Sequence, residues 1–461
     1  MAAKKPLRAL SPFLAWPPAI ARQPAGLRKL VDGLVDSQWW SRDEIETGWA
    51  AQLQLLLGWA TANVEFYKSD PRWLDGLKRL QGPKADFWST WRSLPLLTKP
   101  DLHQHRDRLR TARLPPHHAP AQPVRTSGST GIPVETLSTA VTGRNWGALT
   151  IRDHLAWKRD FSKRMGAIRF LPPEGRDPNG VAMRDWGWPV KALYTSSPGS
   201  AIHMAHPPEV LARWLHRVDP VYLLTYPSIA AALLDAMGAT GRPRSLREIR
   251  FMSEPLDAEL EQRLQGAWNI RCADMYSANE TGHIAQDCPE HGRLHVQAET
   301  VCVEIIRDDG EPCAAGETGR VVLSSLHNLA MPLLRYDLGD YATVGEPCAC
   351  GRGAPVIARV MGRVRNYART PDGHRFWPGS LGKLSAIEAI VQFQYVQTAL
   401  DSIELRVVTS RPLSAEESTS AAELVQAALG YPYQVQIKTV EQIERGPTGK
   451  YEEFLSLIND N

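Results

Sequence analysis

The chain has 461 residues, 43% hydrophobic and 22% charged. That is long enough for a large core and more than one domain, and too ordinary in composition for a disordered chain. A net charge of +3 gives no argument for a nucleic-acid partner, and no run approaches the ~18 apolar residues of a membrane span. Lysines precede an apolar patch at the N-terminus, in the manner of a signal peptide. Pro12, Pro17 and Pro18 interrupt that patch where a signal core should be continuous, so the expectation is an irregular arm on a cytoplasmic protein. The six cysteines are too few to staple a chain of this length. All lie between Cys272 and Cys350, and Cys272, Cys302 and Cys313 read as small buried hydrophobes.

In chain order, residues 43–68 place apolar side chains at three- and four-residue spacing and predict one amphipathic helix. A second helical region, "FWSTWRSLPLLTKPDLHQHRDRL", is interrupted by Pro95 and Pro100. Its basic run from His103 to Arg113 reads as a solvated helix face. A loop rich in Ser, Thr and Gly follows, then a helix from about Val141 to Trp157. Strands and helices alternate from there: "GAIRFL", "PEVLARWLHRV", "PVYLLTY", "PSIAAALLDAMGAT", "LREIRFMSEPL", "DAELEQRLQGAW" and "RCADMYSANE". Such alternation predicts an α/β domain with mostly parallel strands. From about residue 294 only strands are expected, in "LHVQAETVCVEII", "TGRVVLSSL" and "PLLRYDLGDYATV", which reads as an antiparallel β subdomain. A boundary near residues 362–366 leaves a last block of strands and a helix as a separate domain.

The loop "TSGSTG" offers the hydroxyls of Thr126, Ser127, Ser129 and Thr130, with backbone N–H groups made accessible by Gly128 and Gly131. Such groups can form an anion-binding nest, though a Ser/Thr/Gly surface turn has the same composition. The lysine of a Walker loop is missing, and Ile132 stands in its place.

The loop is followed, in order, by "MYSANETG" at 275–282, "RYDLGD" at 335–340, "MGRVRN" at 361–366 and "PTGK" at 447–450. Together these motifs resemble the adenylate-forming superfamily of acyl-CoA ligases and adenylation domains. The likeness is greatest to the phenylacetate–CoA ligase branch and its capsule-biosynthesis-like relatives, and it covers nearly the whole chain, "VEFYK" and "LPLLTKPDL" included. It implies a large N-terminal AMP-binding domain over residues 1–362, of mostly parallel sheets plus a β subdomain, and a small mobile α+β domain over 363–461. It also implies ATP-dependent conversion of a carboxylic acid, aryl or similar, to an acyl-adenylate, then transfer to a thiol such as coenzyme A. By this resemblance the "TSGSTG" loop wraps the β/γ-phosphates, Glu280 holds Mg²⁺ and Thr281 donates to the α-phosphate. Tyr276, with Ser253 and Glu254, lines the adenine pocket, Asp340 accepts from the ribose hydroxyls, and Arg363 approaches the sugar or the phosphates. Lys450 would swing in to neutralise charge between carboxylate and α-phosphate, a cation the phosphate loop itself lacks. Taken singly, Glu280 could be a helix cap, Asp340 a turn former, and Arg363 and Lys450 surface charges. Three positions depart from the family pattern: Ile132, Asn366 where the hinge usually has aspartate, and Asp337 where arginine is common.

A second cluster lies in "DCPEHGRLH" and "EPCACGRG". Cys288 and His291 in C-x-x-H spacing, with Cys348 and Cys350 on a later turn, suit a closed tetrahedral structural zinc within residues 285–360. His295 competes with His291 as the fourth ligand, and four reduced side chains without metal are the alternative. The acid itself is not legible in the residues. Trp186, Trp188 and Tyr194 in "RDWGWPVKALY" fit either a wall for an aromatic acid or core packing. Two rival readings are transfer to an amine, giving an amide-forming ligase, and a nucleotide-binding relative without turnover. A homodimer is left open.

Overall fold

The computed structural model describes residues 24–82, 86–125, 134–238, 241–363, 368–373, 375–376, 384, 386–443 and 453–458. They fall into two compact units, one of residues 1–253 with 264–360, the other of 254–263 with 361–461.

The first unit opens with helices whose starts are written in the sequence. Ser41 and Glu44 form a reciprocal cap on the helix Arg42–Asn63, satisfying donors that have no partner within the helix. Its spaced apolar residues Ile45, Trp49, Leu53, Leu56 and Ala60 are buried. The expected single helix over 43–68 is broken at Val64, which is extended and bridges to Thr111. Only the short helix Glu65–Lys68 continues beyond it. Thr98 with Asp101, and Thr139 with Thr142, cap the helices Lys99–Gln104 and Ala140–Ala156 in the same way.

Strands β1 (Gln122–Arg125) and β2 (Glu135–Ser138) form an antiparallel hairpin. Next come β3 (Met165–Arg169), β4 (Val181–Met183), β5 (Gly199–His203), β6 (Tyr222–Thr225), β7 (Glu248–Phe251) and β8 (Arg271–Ala273), in a six-stranded sheet ordered β4-β5-β3-β6-β7-β8. All its pairs are parallel except β4 with β5. Ile168, Ile202, Leu223 and Ile249 are wholly buried, as strands covered on both faces require.

A seven-stranded sheet holds β9 (Met275–Ala278), β10 (Gly282–Asp287), β11 (Leu294–Val296), β12 (Val301–Ile306), β13 (Thr318–Ser325), β14 (Tyr336–Val344) and β15 (Val356–Arg363), ordered β12-β13-β14-β15-β11-β10-β9. Two expectations are corrected here. "RCADMYSANE" is two strands in two different sheets, because Asp274 is drawn to the end of β10. The Asp287 N–H donates to the Asp274 carbonyl at 3.1 Å, and the Asp274 carboxylate accepts from the Met275 N–H at 2.8 Å. "LHVQAETVCVEII" likewise divides into β11 and β12, which lie far apart in the sheet. A turn closes on the Gln297 carbonyl, which accepts from the N–H groups of Thr300 and Val301.

The second unit is a four-stranded sheet of Gln434–Thr439, Ser402–Thr409, Ile390–Ala399 and Phe454–Ser456, in that order. The helix Ala415–Leu429, capped by Ser414 and Glu417, packs Val425 and Leu429 into a core with Tyr395, Leu405 and Tyr433. Among the described residues no helix is long and apolar enough to cross a membrane.

Candidate active site

Thr126, Ser127, Gly128, Ser129, Thr130, Gly131 and Ile132 lie outside the described residues, but the hairpin that carries them is defined. Arg125 pairs in register with Glu135 at its mouth. The Glu135 carboxylate receives Arg125 at 3.0 Å, Arg110 at 2.9 Å and Arg106 at 3.7 Å. The basic run is therefore not a helix face. The helix stops at Gln104, and the turns beyond it bring two arginines to the base of the loop. Exposed pairs of this kind add little stability, and they tie the basic run to the hairpin.

The "NETG" turn joins β9 to β10 directly beside that hairpin, with the Asn279 side-chain amide 3.4 Å from the Arg125 carbonyl. Glu280 is 7% exposed. The Thr281 hydroxyl is buried and has no hydrogen-bond partner among the described residues. An unsatisfied buried hydroxyl costs roughly 1–3 kcal/mol, and this one has a donor to spare. Gly282 follows with φ +90°, a left-handed backbone that a larger residue would strain.

Tyr276 and Asp340 meet across the sheet, the phenol donating to the carboxylate at 2.7 Å with both residues buried. Strand β14 is anchored just upstream. The Leu97 N–H donates to the Arg335 carbonyl at 3.0 Å, and the Asp337 N–H returns a bond to the Leu97 carbonyl at 2.8 Å. Asp337 is engaged by Arg320 at 3.1 Å and caps the Gly339 N–H at 3.0 Å. Ser253, just past the end of β7, is exposed with φ +68°, and Glu254 follows it as the first residue of the second unit. Arg363 closes β15 through its backbone. Its side chain, with Asn366 and Lys450, lies outside the described residues.

The cysteine cluster assembles with one change of ligand. Cys288, Cys348 and Cys350 place their sulfurs within 4.8 Å of one another and of a ring nitrogen of His295. His291, expected from the C-x-x-H spacing, is exposed and is not in this group. The reason is the turn: the Cys288 N–H donates to the Arg293 carbonyl and its carbonyl accepts from Gly292. This folds the chain so that His295, on β11, re-enters beside Cys288. The Cys350 sulfur and His295 Nε2 stand 3.5 Å apart. Sulfur and nitrogen bound to one tetrahedral zinc at ~2.3 and ~2.05 Å stand about 3.6 Å apart. Burial pushes the His295 imidazole down to about 4, keeping it neutral as a ligand must be. Burial raises the Cys350 thiol, but hydrogen bonds from Arg352 outweigh this and leave it below its ordinary value.

The aromatic segment before β5 divides between the two roles open to it. Trp186 is core: it is 7% exposed, donates to the Lys163 carbonyl at 3.0 Å and packs edge-on against His154, Phe161 and Tyr222. Tyr194 rests on Phe161 and beneath Arg28. Trp188 is 49% exposed. Trp146 and His283, which the sequence does not mark, lie next to the "NETG" turn; partial exposure of an indole leaves no trace in residue spacing.

A family model described as the CapK C-terminal domain matches residues 379–456. A phenylacetate–coenzyme A ligase of Thermus thermophilus is 26% identical over 223 residues, 45% of this chain and 50% of that protein. The chain therefore spans about half the length of the curated relative it matches. Among solved structures, a 2-hydroxyisobutyryl-CoA ligase in the postadenylation state aligns with a TM-score of 0.68 at 17% identity, over 90% of both chains. An anthranilate CoA ligase in complex with anthranoyl-AMP aligns with a TM-score of 0.53 at 18% identity, over 72% of this chain and 64% of that one. At such identities these structural likenesses speak to the fold.

Proposed function

We propose that this chain, which belongs to the adenylate-forming superfamily in its phenylacetate–CoA ligase and CapK-like branch, is an AMP-forming acid–thiol ligase. It activates a carboxylic acid, aryl or similar, with ATP and passes the acyl group to a thiol such as coenzyme A. The observation that carries this reading is the buried Thr281 hydroxyl, without a hydrogen-bond partner among the described residues, on the turn whose Asn279 meets the Arg125 carbonyl.

The first step is attack of a carboxylate oxygen on the α-phosphorus, with the bond to pyrophosphate breaking as the new P–O bond forms. A negative nucleophile approaches a polyanion, so neutralising and positioning charge is the main task. Thr281 donates its free hydroxyl to the α-phosphate, and the hydroxyls and N–H groups of 126–131 hold the β- and γ-phosphates. Magnesium, when bound, neutralises phosphate charge, and Glu280, a hard carboxylate beside that hydroxyl, is the residue suited to hold it. Asp340, which accepts from the Tyr276 phenol, accepts from the ribose hydroxyls, while the Tyr276 ring serves as the adenine wall with Ser253 and Glu254. Arg363 supports the sugar or phosphates, and Lys450 is assigned the cation between carboxylate and α-phosphate. In the second step the thiolate attacks the acyl carbonyl and AMP leaves with its oxygen.

The donor set Cys288, His295, Cys348 and Cys350 fits zinc. With four protein ligands the ion would be closed to substrate and structural, pinning the turn between β10 and β11 to the loop between β14 and β15.

Pyrophosphate release from ATP across a panel of carboxylic acids, without and then with coenzyme A, tests the reading. Acid-dependent release followed by acyl-CoA formation is expected. A failure of every acid in the panel to trigger release would refute the ligase assignment, and turnover indifferent to coenzyme A but raised by an amine would move it to an amide-forming ligase.

A further inference from the structure

The carboxyl ends of β3 and β5 carry a set of donors that the steps above leave unused. His203 closes β5 and is 5% exposed. Its Nδ1 accepts from the Ala205 N–H at 3.0 Å, so in the neutral ring the proton resides on Nε2. That Nε2–H is buried and has no acceptor among the described residues. Burial, then the charges of Arg176 and His206, hold the imidazole below its ordinary pKa. The ring is therefore neutral at pH 7 and offers this one donor. His206 stands edge-on to it, with centroids 6.5 Å apart and planes at 89°. The His206 Nε2 is likewise buried without a partner among the described residues.

The surroundings are positive. Arg169 is the register partner of His203, and register partners on neighbouring parallel strands project from the same face of the sheet. Arg169 and Arg176 are exposed, and neither guanidinium has an ion-pair partner among the described residues. The nearest acid along the chain, Asp177, turns its carboxylate onto the Asn179 N–H at 2.7 Å. The helix Pro208–Val218 starts on the turn after His206 without a side-chain cap, which adds the positive end of its dipole. Phe170, the residue after β3, packs on His203 at 5.3 Å yet is 49% exposed, so this end of the sheet is open. The chain runs from β3 out to β4 and β5 and then back across to β6. Open α/β sheets hold ligands at the carboxyl ends of strands where the order reverses in this way.

We propose that His203, with His206, Arg169 and Arg176, forms an oxyanion site at the carboxyl ends of β3 and β5 for a further acidic group on one of the two substrates that join. None of these residues is assigned to ATP. The inference rests on the adenylating reading above and goes beyond it. An oxyanion supplies what the set lacks: an acceptor for the His203 Nε2–H, and negative charge for two guanidinium groups. Carboxylate and phosphate present the same kind of oxygen to such donors. The group is either a second carboxylate on the acid or a phosphate on the thiol acceptor.

The test uses the full chain and its His203→Phe, His203→Gln and Arg176→Ala variants, each checked for its thermal unfolding midpoint. One arm compares glutarate and terephthalate with their monoamides in pyrophosphate release, each pair differing only in the second charge. The other compares coenzyme A with dephospho-coenzyme A and pantetheine in thioester formation. The wild type is expected to favour the charged member of one arm. His203→Phe and the exposed Arg176→Ala should each reduce that preference, as a ratio of kcat/KM, roughly tenfold or more, with KM for ATP unchanged. His203→Gln, which keeps an N–H donor near the Nε2 position, should recover most of it. The arm that responds identifies the substrate bearing the group. A merely structural role would lower all substrates alike and leave both ratios fixed, which overturns the site. A wild type indifferent to the charge in both arms overturns this inference alone. A wild type that releases pyrophosphate with no acid overturns the adenylating reading and the inference with it.

Discussion

Replacing ligands of the cysteine cluster one at a time gives a direct test of its geometry. Cys288 and His295 flank the turn between β10 and β11, while Cys348 and Cys350 sit on the loop between β14 and β15. Holding Cys288 to Cys350 closes a loop of about 60 residues, which by the chain-entropy relation for a cross-link contributes about 4 kcal/mol. In a unit of this size roughly 1–2 °C of Tm follows each kcal/mol, so removing the metal should lower the unfolding midpoint by roughly 4–8 °C. Metal analysis by plasma mass spectrometry should find about one zinc per chain in the wild type. Cys350→Ser and His295→Ala should lose both the zinc and the stability increment. His291→Ala should keep both, because its imidazole stands outside the group. Zinc retained by His295→Ala and lost by His291→Ala would refute the geometric choice, and a wild type free of zinc with no response to chelator would refute the site.

Thr281→Val keeps the side-chain shape and removes a hydroxyl that bonds nothing among the described residues. The midpoint should hold or rise while adenylate formation falls roughly 10²-fold; unchanged pyrophosphate release would remove Thr281 from the mechanism. Lys450→Ala should suppress acid-dependent pyrophosphate release with ATP binding, measured by calorimetry, nearly intact, and an unaffected rate would remove the role assigned to that lysine. Burial pushes the imidazoles of His118 and His283 down to about 3 and that of His327 to about 4. Their folded pKa values are depressed, so their contribution is full above the unfolded value of about 6.5 and is lost as pH falls below it. Each costs up to about 1.4 kcal/mol per pH unit in that range. Denaturant midpoints measured from pH 7.5 to 5 should decline accordingly, and a flat profile would contradict the buried neutral histidines.

The buried charge cluster behind the six-stranded sheet is outside the chemistry but fixes the frame on which it depends. Arg159 joins Asp153 at 2.6 Å and Glu248 at 2.5 Å, with all three side chains almost wholly enclosed. Arg250 adds a second contact to Asp153 at 3.1 Å. Such a set ties the end of the helix Ala140–Ala156 to β7. Its value lies in fixing position, since burying the charges offsets much of their attraction.

What was legible in the sequence was whatever short-range chemistry writes locally. Apolar spacing over 43–68 foretold the helix Arg42–Asn63, because that spacing places one face of a helix in the core. The strand–helix alternation from 165 to 268 follows from periodicity, and the order of the "TSGSTG", "NETG", "RYDLGD" and "PTGK" motifs carries the resemblance to the family. Partners separated by many residues were decided only in three dimensions. Asp274 sends one apparent strand into two sheets because its bonds reach Asp287. The tight turn after Cys288 brings His295 rather than His291 to the sulfurs, a choice ligand spacing alone leaves open. The arginines at 106 and 110 leave the helix pattern to meet Glu135 beyond the phosphate loop. The donors of His203 and Thr281, unmet among the described residues, depend on which surfaces remain uncovered once the sheets have packed. Local propensity is set by nearest neighbours along the chain, whereas exposure and unmet hydrogen bonds belong to the packed whole.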